Sequence, residues 1–156
     1  MPRRCPRDAT SMKVLRVERV AFPFEVDVCG KCHGFFLDKG EAGKIAGGRE
    51  LERLLHAYAG ERGPASCPGC GDKMRLRTLT AKGHSVTVDV CSRCKGTWLD
   101  GQELAGLKAA YQAYLNEPGS TLQDPKHGAT TAASAQESQE HAGGLAAMIG
   151  WAPLLK

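Results

Sequence analysis

The chain has 156 residues, enough for one ordinary domain or two small ones. Hydrophobic residues at 42% allow a modest core, and a net charge of +4 with a pI near 8.7 falls short of a dedicated nucleic-acid coat. No run approaches the ~18 apolar residues of a membrane span, and no apolar h-region follows Arg3-Arg4, so neither a transmembrane helix nor a secretory signal is expected.

Seven cysteines would suit a disulfide framework in a secreted protein. Here six of them fall into three Cys-x-x-Cys pairs, Cys29/Cys32, Cys67/Cys70 and Cys91/Cys94, and no secretion signal accompanies them. Metal binding in a reducing cytoplasm is therefore the expectation.

An internal repeat organises the chain. A shift of 62 residues lays Cys5, Cys29 and Cys32 on Cys67, Cys91 and Cys94, without a gap from Cys5–Glu41 to Cys67–Glu103. Within that span Met12 falls on Met74, and Val26-Asp27-Val28 on Val88-Asp89-Val90. Gly34, Leu37, Asp38 and Glu41 fall on Gly96, Leu99, Asp100 and Glu103. An interval held twice without a slip identifies a tandem duplication.

In chain order, each copy opens on a Cys-Pro turn. A β-rich segment follows, Lys13–Val20 in copy one and Arg75–Ala81 in copy two. Turns are expected at Ala21–Pro23 and at Lys82-Gly83-His84. The return strands carry Val26 and Val28, then Val86, Val88 and Val90, the alternation of a half-buried strand. Each return strand runs into the second knuckle, so each copy reads as a hairpin with a knuckle at either end, a zinc ribbon.

Beyond the knuckles, Asp38 and Asp100 stand as N-caps with Glu41 and Glu103 three residues on, the pattern of a capping box. Copy two then shows Leu104, Leu107, Tyr111, Tyr114 and Leu115 at helical spacing. Copy one predicts a helix broken at Gly47-Gly48 and resumed through Leu51, Leu54, Leu55 and Tyr58. These apolar stripes are expected to cover the ribbons. Gly60–Ser66, with Gly63-Pro64, reads as a linker. From Glu117 to Gly144 the composition is poor in large apolar residues and predicts disorder, and Leu145–Lys156 turns apolar again as a terminus or a docking segment. The expected organisation is ribbon one at 1–41, helix and linker at 42–66, ribbon two with its helix at 67–115, and a tail at 116–156. The fold class is a small, zinc-stabilised α+β protein.

Cys67, Cys70, Cys91 and Cys94 supply four thiolates, the donor set of a structural zinc. A unit of 37 residues lies below the ~40 at which a core usually suffices alone, so metal-binding free energy is expected to be part of folding. Copy one departs at one position: Asp8 stands where copy two has Cys70. Three readings remain open, namely Asp8 as fourth ligand beside Cys5, Cys29 and Cys32, a water in that position, or a site without metal. Zinc with Asp8 as ligand is preferred over the other two. His33 is a further donor, but its counterpart is Lys95, which cannot fill that role, so a solvent-facing His33 is expected. An open position would also suit catalytic zinc, yet no glutamate or histidine of copy one is poised as a general base, so no enzyme is expected.

The pattern Cys67-Pro68-x-Cys70, then Val88-Asp89-x-Cys91-x-x-Cys94-x-Gly96-x-Trp98-Leu99-Asp100-x-x-Glu103-Leu104, resembles the transcription-factor-IIB-type zinc-finger family. Copy one resembles it less fully, with Asp8 for a cysteine, Phe36 for the tryptophan and Ala42 for the leucine. The resemblance covers both repeat blocks and implies zinc ribbons and metal ligands. It does not imply a particular activity.

Three functions are compatible with these residues. The leading one is a non-catalytic zinc module that binds another protein, with the tail as a second contact. The alternative is nucleic-acid binding through basic hairpins, with Arg16, Arg19, Arg75 and Arg77 as the contacts, although the copy-two hairpin lacks aromatic residues for stacking. The third is a rubredoxin-like or dithiol redox protein, suggested by Cys67-Pro68-Gly69-Cys70-Gly71.

Overall fold

The computed structural model describes residues 1–18, 22–46, 48–57 and 60–116, together with the backbone of 121–124 and 128–131. Copy one forms β1 (Lys13–Val17), β2 (Phe24–Val28), β3 (Phe35–Leu37), α1 (Glu41–Ala46) and α2 (Gly48–His56). Next come β4 (Glu61–Ser66), β5 (Lys73–Ala81), β6 (His84–Val90), β7 (Thr97–Leu99) and α3 (Glu103–Leu115). Two short strands follow, β8 (Thr121–Asp124) and β9 (Gly128–Thr131).

Both hairpins form as the valine alternation predicts. In β1–β2, Leu15 lies opposite Val26, and in β5–β6, Leu79 lies opposite Val86. Lys82 and Gly83 at the β5–β6 tip have φ of 47° and 79°, which matches a two-residue turn to the twist of its strands. The break in the copy-one helix falls where Gly47-Gly48 predicts, with Gly48 at φ 74°.

Sequence reasoning missed β3 and β7, and they decide the architecture. Phe35-Phe36-Leu37 and Thr97-Trp98-Leu99 are short runs between a knuckle and a helix cap, too brief to show a period. They pair antiparallel with each other, Phe35 opposite Leu99, Phe36 opposite Trp98 and Leu37 opposite Thr97. Phe36 and Trp98 are equivalent positions of the repeat, so the pairing is self-complementary, as across a two-fold axis. The two ribbons thereby join into one sheet with strand order β1-β2-β3-β7-β6-β5-β8-β9, and β4 also pairs with β5.

Alternation through this junction supplies two cores. Phe35, Leu37 and Leu99 face the helices, packed with Val26, Val88, Leu51, Leu54, Leu107 and Tyr111. Phe36 and Trp98 face the other side, among Met12, Met74 and the cysteines. Both rings are fully buried. Each ring lies on the knuckle of the other copy: a Cβ at Gly34 would fall within the Trp98 ring, and one at Gly96 within the Phe36 ring. Glycine is needed at these positions for close approach rather than for an unusual φ.

The segment read as a linker is the edge strand β4, paired with β5 at Glu61–Leu76, Arg62–Arg75 and Ser66–Lys73, with an irregularity between. Pro64 is compatible with an edge, where a missing N–H leaves no ladder bond unmade. The capping box forms only in half in copy one, whereas in copy two Asp100 Oδ1 also accepts the Gln102 N–H at 3.4 Å. Glu41 accepts the Asp38 N–H at 2.8 Å and Glu103 that of Asp100 at 2.8 Å, but the Asp38 side chain turns to Arg3 instead. Within the segment whose composition predicts disorder, β8 pairs with β9 and meets β5 at Thr80. The apolar segment at 145–156 lies outside the described residues.

The aromatic exchange predicts that Gly34→Ala, which forces Trp98 off its seat, lowers unfolding stability by about 1–3 kcal/mol, the usual cost of overpacking. Gly30→Ala, at a knuckle glycine with open space around it, should change stability far less. Denaturant unfolding of both zinc-loaded variants measures the difference.

Candidate metal centres

Four knuckles bring eight side chains into two clusters. Cys67, Cys70, Cys91 and Cys94 form one, and Cys5, Asp8, Cys29 and Cys32 the other; within each, the ligand atoms all lie within 4.8 Å of one another. The knuckle backbones match across the repeat. Cys5 N–H donates to the Thr10 carbonyl at 2.9 Å, as Cys67 does to Asp72 at 2.8 Å, and Cys29 to Gly34 at 2.8 Å, as Cys91 does to Gly96 at 2.8 Å.

The residue that closes each knuckle adopts a left-handed conformation. Gly71 (φ 79°) closes the first knuckle of copy two and Ala9 (φ 58°) that of copy one, while His33 and Lys95 (both φ 61°) close the second knuckles.

In the second cluster the Sγ–Sγ separations are 3.5 Å for Cys67–Cys94 and 3.5 Å for Cys70–Cys91. A disulfide would need ~2.05 Å, whereas sulfurs ~2.3 Å from one tetrahedral ion lie ~3.8 Å apart. All seven cysteines are free thiols. In the first cluster Cys5 Sγ lies 3.5 Å from Cys32 Sγ, and Asp8 Oδ2 lies 3.4 Å from Cys29 Sγ. Asp8 Oδ1 accepts the Thr10 N–H at 2.9 Å and lies 3.7 Å from Cys29 Sγ, so Oδ2 is the oxygen nearer that sulfur. Backbone N–H groups of Arg7 and Lys31 point at Cys5 and Cys29 Sγ at 3.4 Å each, the kind of outer contact that moderates thiolate charge.

Proton affinities show what an ion must displace. Burial pushes the Cys5 thiol up to about 12 and raises Cys67 still further. At Cys91 burial is outweighed by the Cys94 N–H and the Cys70 thiol, which leave it below the ordinary thiol value. The backbone N–H and the side chain of Thr10 hold Asp8 down to about 2, so it is anionic at any physiological pH. Donor sets of four sulfurs and of three sulfurs with one carboxylate both suit zinc, and the two clusters are compatible with two zinc sites. His33 is outside the first cluster and half-buried beside Gly101, rather than turned to solvent as expected.

The arginines that make the chain locally basic are largely engaged within the fold. Arg3 pairs with Asp27 at 2.6 Å and Asp38 at 2.9 Å, and lies over the Phe36 ring at 5.0 Å. Arg7, in the first knuckle of copy one, reaches Asp89 of copy two at 2.8 Å. The Asp89 carboxylate is 1% exposed, and its burial raises its pKa against the pull of Arg7.

Of the candidate nucleic-acid contacts, Arg77 is corrected. It is 6% exposed, with its guanidinium on the Leu54 carbonyl at 3.1–3.2 Å, and closes the last turn of α2. Arg75 donates to the Gly60 carbonyl at 3.2 Å, Arg16 pairs with Glu18 at 3.2 Å on the surface, and Arg19 lies outside the described residues. Their sequence signal was charge alone, which does not distinguish a guanidinium in solvent from one holding a helix end.

A family profile described as a transcription factor zinc-finger, a zinc ribbon of the TFIIB type, matches residues 4–47 and again 66–110. No curated protein and no solved structure matches the chain. No helix among the described residues is long and apolar enough to cross a membrane.

Asp8→Ala should reduce tightly bound zinc from two ions per chain to one, or to one with a second weakly held, as measured by metal analysis after dialysis. Two tightly held ions in the variant would exclude Asp8 as a ligand.

Proposed function

The chain belongs to the transcription factor zinc-finger family, and on that premise we propose that it is a non-catalytic, zinc-stabilised module that binds another protein. Its ligands are Cys67, Cys70, Cys91 and Cys94 at one ion and Cys5, Asp8, Cys29 and Cys32 at the other. Each set supplies four protein donors, which favours a structural over a catalytic role, since catalytic zinc keeps a position for water or substrate. Seven free thiols suit a reducing compartment such as the cytoplasm.

The observation that carries the protein-binding reading is an asymmetry between the two hairpins. The outer edge of β5 is covered by β4 and touched by β8. The matching edge of β1 has no strand beside it among the described residues. Val14 on β1 is 58% exposed and Phe22, between β1 and β2, 73%; with Met1 they are the exposed large apolar residues among those described. An unpaired edge with apolar neighbours is suited to an extended segment of another chain, added as a further strand. Lys13, exposed on β1, favours a segment with acidic side chains.

Nucleic-acid binding is the weaker reading, because Arg75 and Arg77 hold carbonyls of the fold and Arg16 pairs with Glu18.

The test pairs affinity capture with a double variant, Val14→Asp with Phe22→Ser, in the zinc-loaded chain. A partner held by the parent should be weakened by about tenfold or more, a loss of roughly 1.4 kcal/mol or greater, with zinc content unchanged. Failure to capture any partner, together with no effect of deleting residues 117–156, contradicts the proposal. Salt-dependent binding to a generic duplex or single strand at low salt would favour nucleic acid instead.

A further inference from the structure

Resting on the reading that both clusters bind zinc, we infer that they hold their ions differently: the first is an exchangeable zinc site and the second a permanent one. The knuckle backbones superimpose in their hydrogen bonds, with Ala9 N–H to Cys5 carbonyl at 2.9 Å and Gly71 N–H to Cys67 carbonyl at 2.8 Å. Two of the differences between the sites, at adjacent positions of the first knuckle, bear on the ion directly.

At the first of these, Asp8 replaces Cys70. A carboxylate is a harder donor than a thiolate, and zinc on the softer set is held more firmly. Asp8 Oδ1 also accepts the Thr10 N–H at 2.9 Å, so part of the carboxylate's charge is already engaged by the backbone. At the second, Ala9 replaces Gly71 in a left-handed conformation, φ 58° against 79°. A Cβ there is strained where glycine is not. The loaded turn is thus disfavoured in copy one by its own backbone as well as by its donor, and the two effects act in the same direction.

Release from the first site reaches the rest of the molecule through two contacts. Arg7 sits inside the strained turn and neutralises the buried Asp89 of the second ribbon at 2.8 Å. Trp98 of the second ribbon rests on Gly34, two residues after Cys32. An emptied first cluster loosens both, so the junction between the ribbons responds to zinc availability.

The test uses the full chain loaded with two zinc ions, in a Trp151→Phe background that leaves Trp98 as the single reporter, mixed with excess chromogenic chelator. Two phases of one ion each are expected, the faster by about tenfold or more, since even outer-sphere changes move zinc affinity ~10–100-fold. Trp98 emission should change with the fast phase. Asp8→Cys should slow that phase, and Cys70→Asp should accelerate the slow one, so the result does not depend on one variant folding. Loss of both ions at a single rate, or a fast phase unaffected by Asp8→Cys, overturns the inference while leaving zinc binding intact. A chain that binds zinc at neither cluster overturns the underlying reading as well.

Discussion

Two aromatic rings set on two glycines hold the halves of this molecule together. Trp98 of the second ribbon covers Gly34 of the first, and Phe36 of the first covers Gly96 of the second. Each glycine lies two residues beyond the last cysteine of a knuckle, so the exchange ties each metal cluster to the opposite ribbon. The contact is possible because β3 and β7 pair about Phe36–Trp98, which puts both rings on the side of the sheet that carries the cysteines. A Trp/Phe pair at equivalent positions shows that the duplicated contact tolerates a change of ring while keeping the glycine beneath it.

The arrangement also resolves a problem of size. A lone 37-residue ribbon has too little apolar surface to fold on packing alone. Joined at β3 and β7, the two ribbons share one helix-covered core that takes in residues from Val17 to Tyr114. Metal binding then closes the side of the sheet that the helices leave uncovered, where the second cluster of buried residues consists largely of cysteine, methionine and the two rings. The ion pair between Arg7 and the buried Asp89 crosses between copies on this same side. Removing Arg7 alone would leave a buried carboxylate without its partner, a costlier state than losing the pair entire.

Much of this was legible in the sequence because the repeat is gapless. The 62-residue shift identifies both clusters, both hairpins and the special standing of Asp8, and the structure brings Asp8 to the three sulfurs of its cluster. The helix break at Gly48 followed from local backbone chemistry. What escaped was whatever depends on contact between copies. Three-residue strands are too short to show alternation, so Phe35–Leu37 and Thr97–Leu99 read as connections rather than as the seam of the sheet. Arg77 read as surface charge because its partner, the Leu54 carbonyl, is 23 residues away, and the Arg7–Asp89 pair spans 82 residues. Glu61–Ser66 read as a linker because proline and glycine mark turns in isolation, whereas an edge strand accommodates both.

The central claim is that two ribbons with two ions make one cooperative unit through the Phe36–Trp98 seam. Equilibrium unfolding of the zinc-loaded Trp151→Phe chain, followed both by far-ultraviolet circular dichroism and by Trp98 emission, tests it most directly. A single transition, coincident by both probes, is the predicted result. Two separated transitions, with one ribbon unfolding while the other keeps its secondary structure, would contradict it.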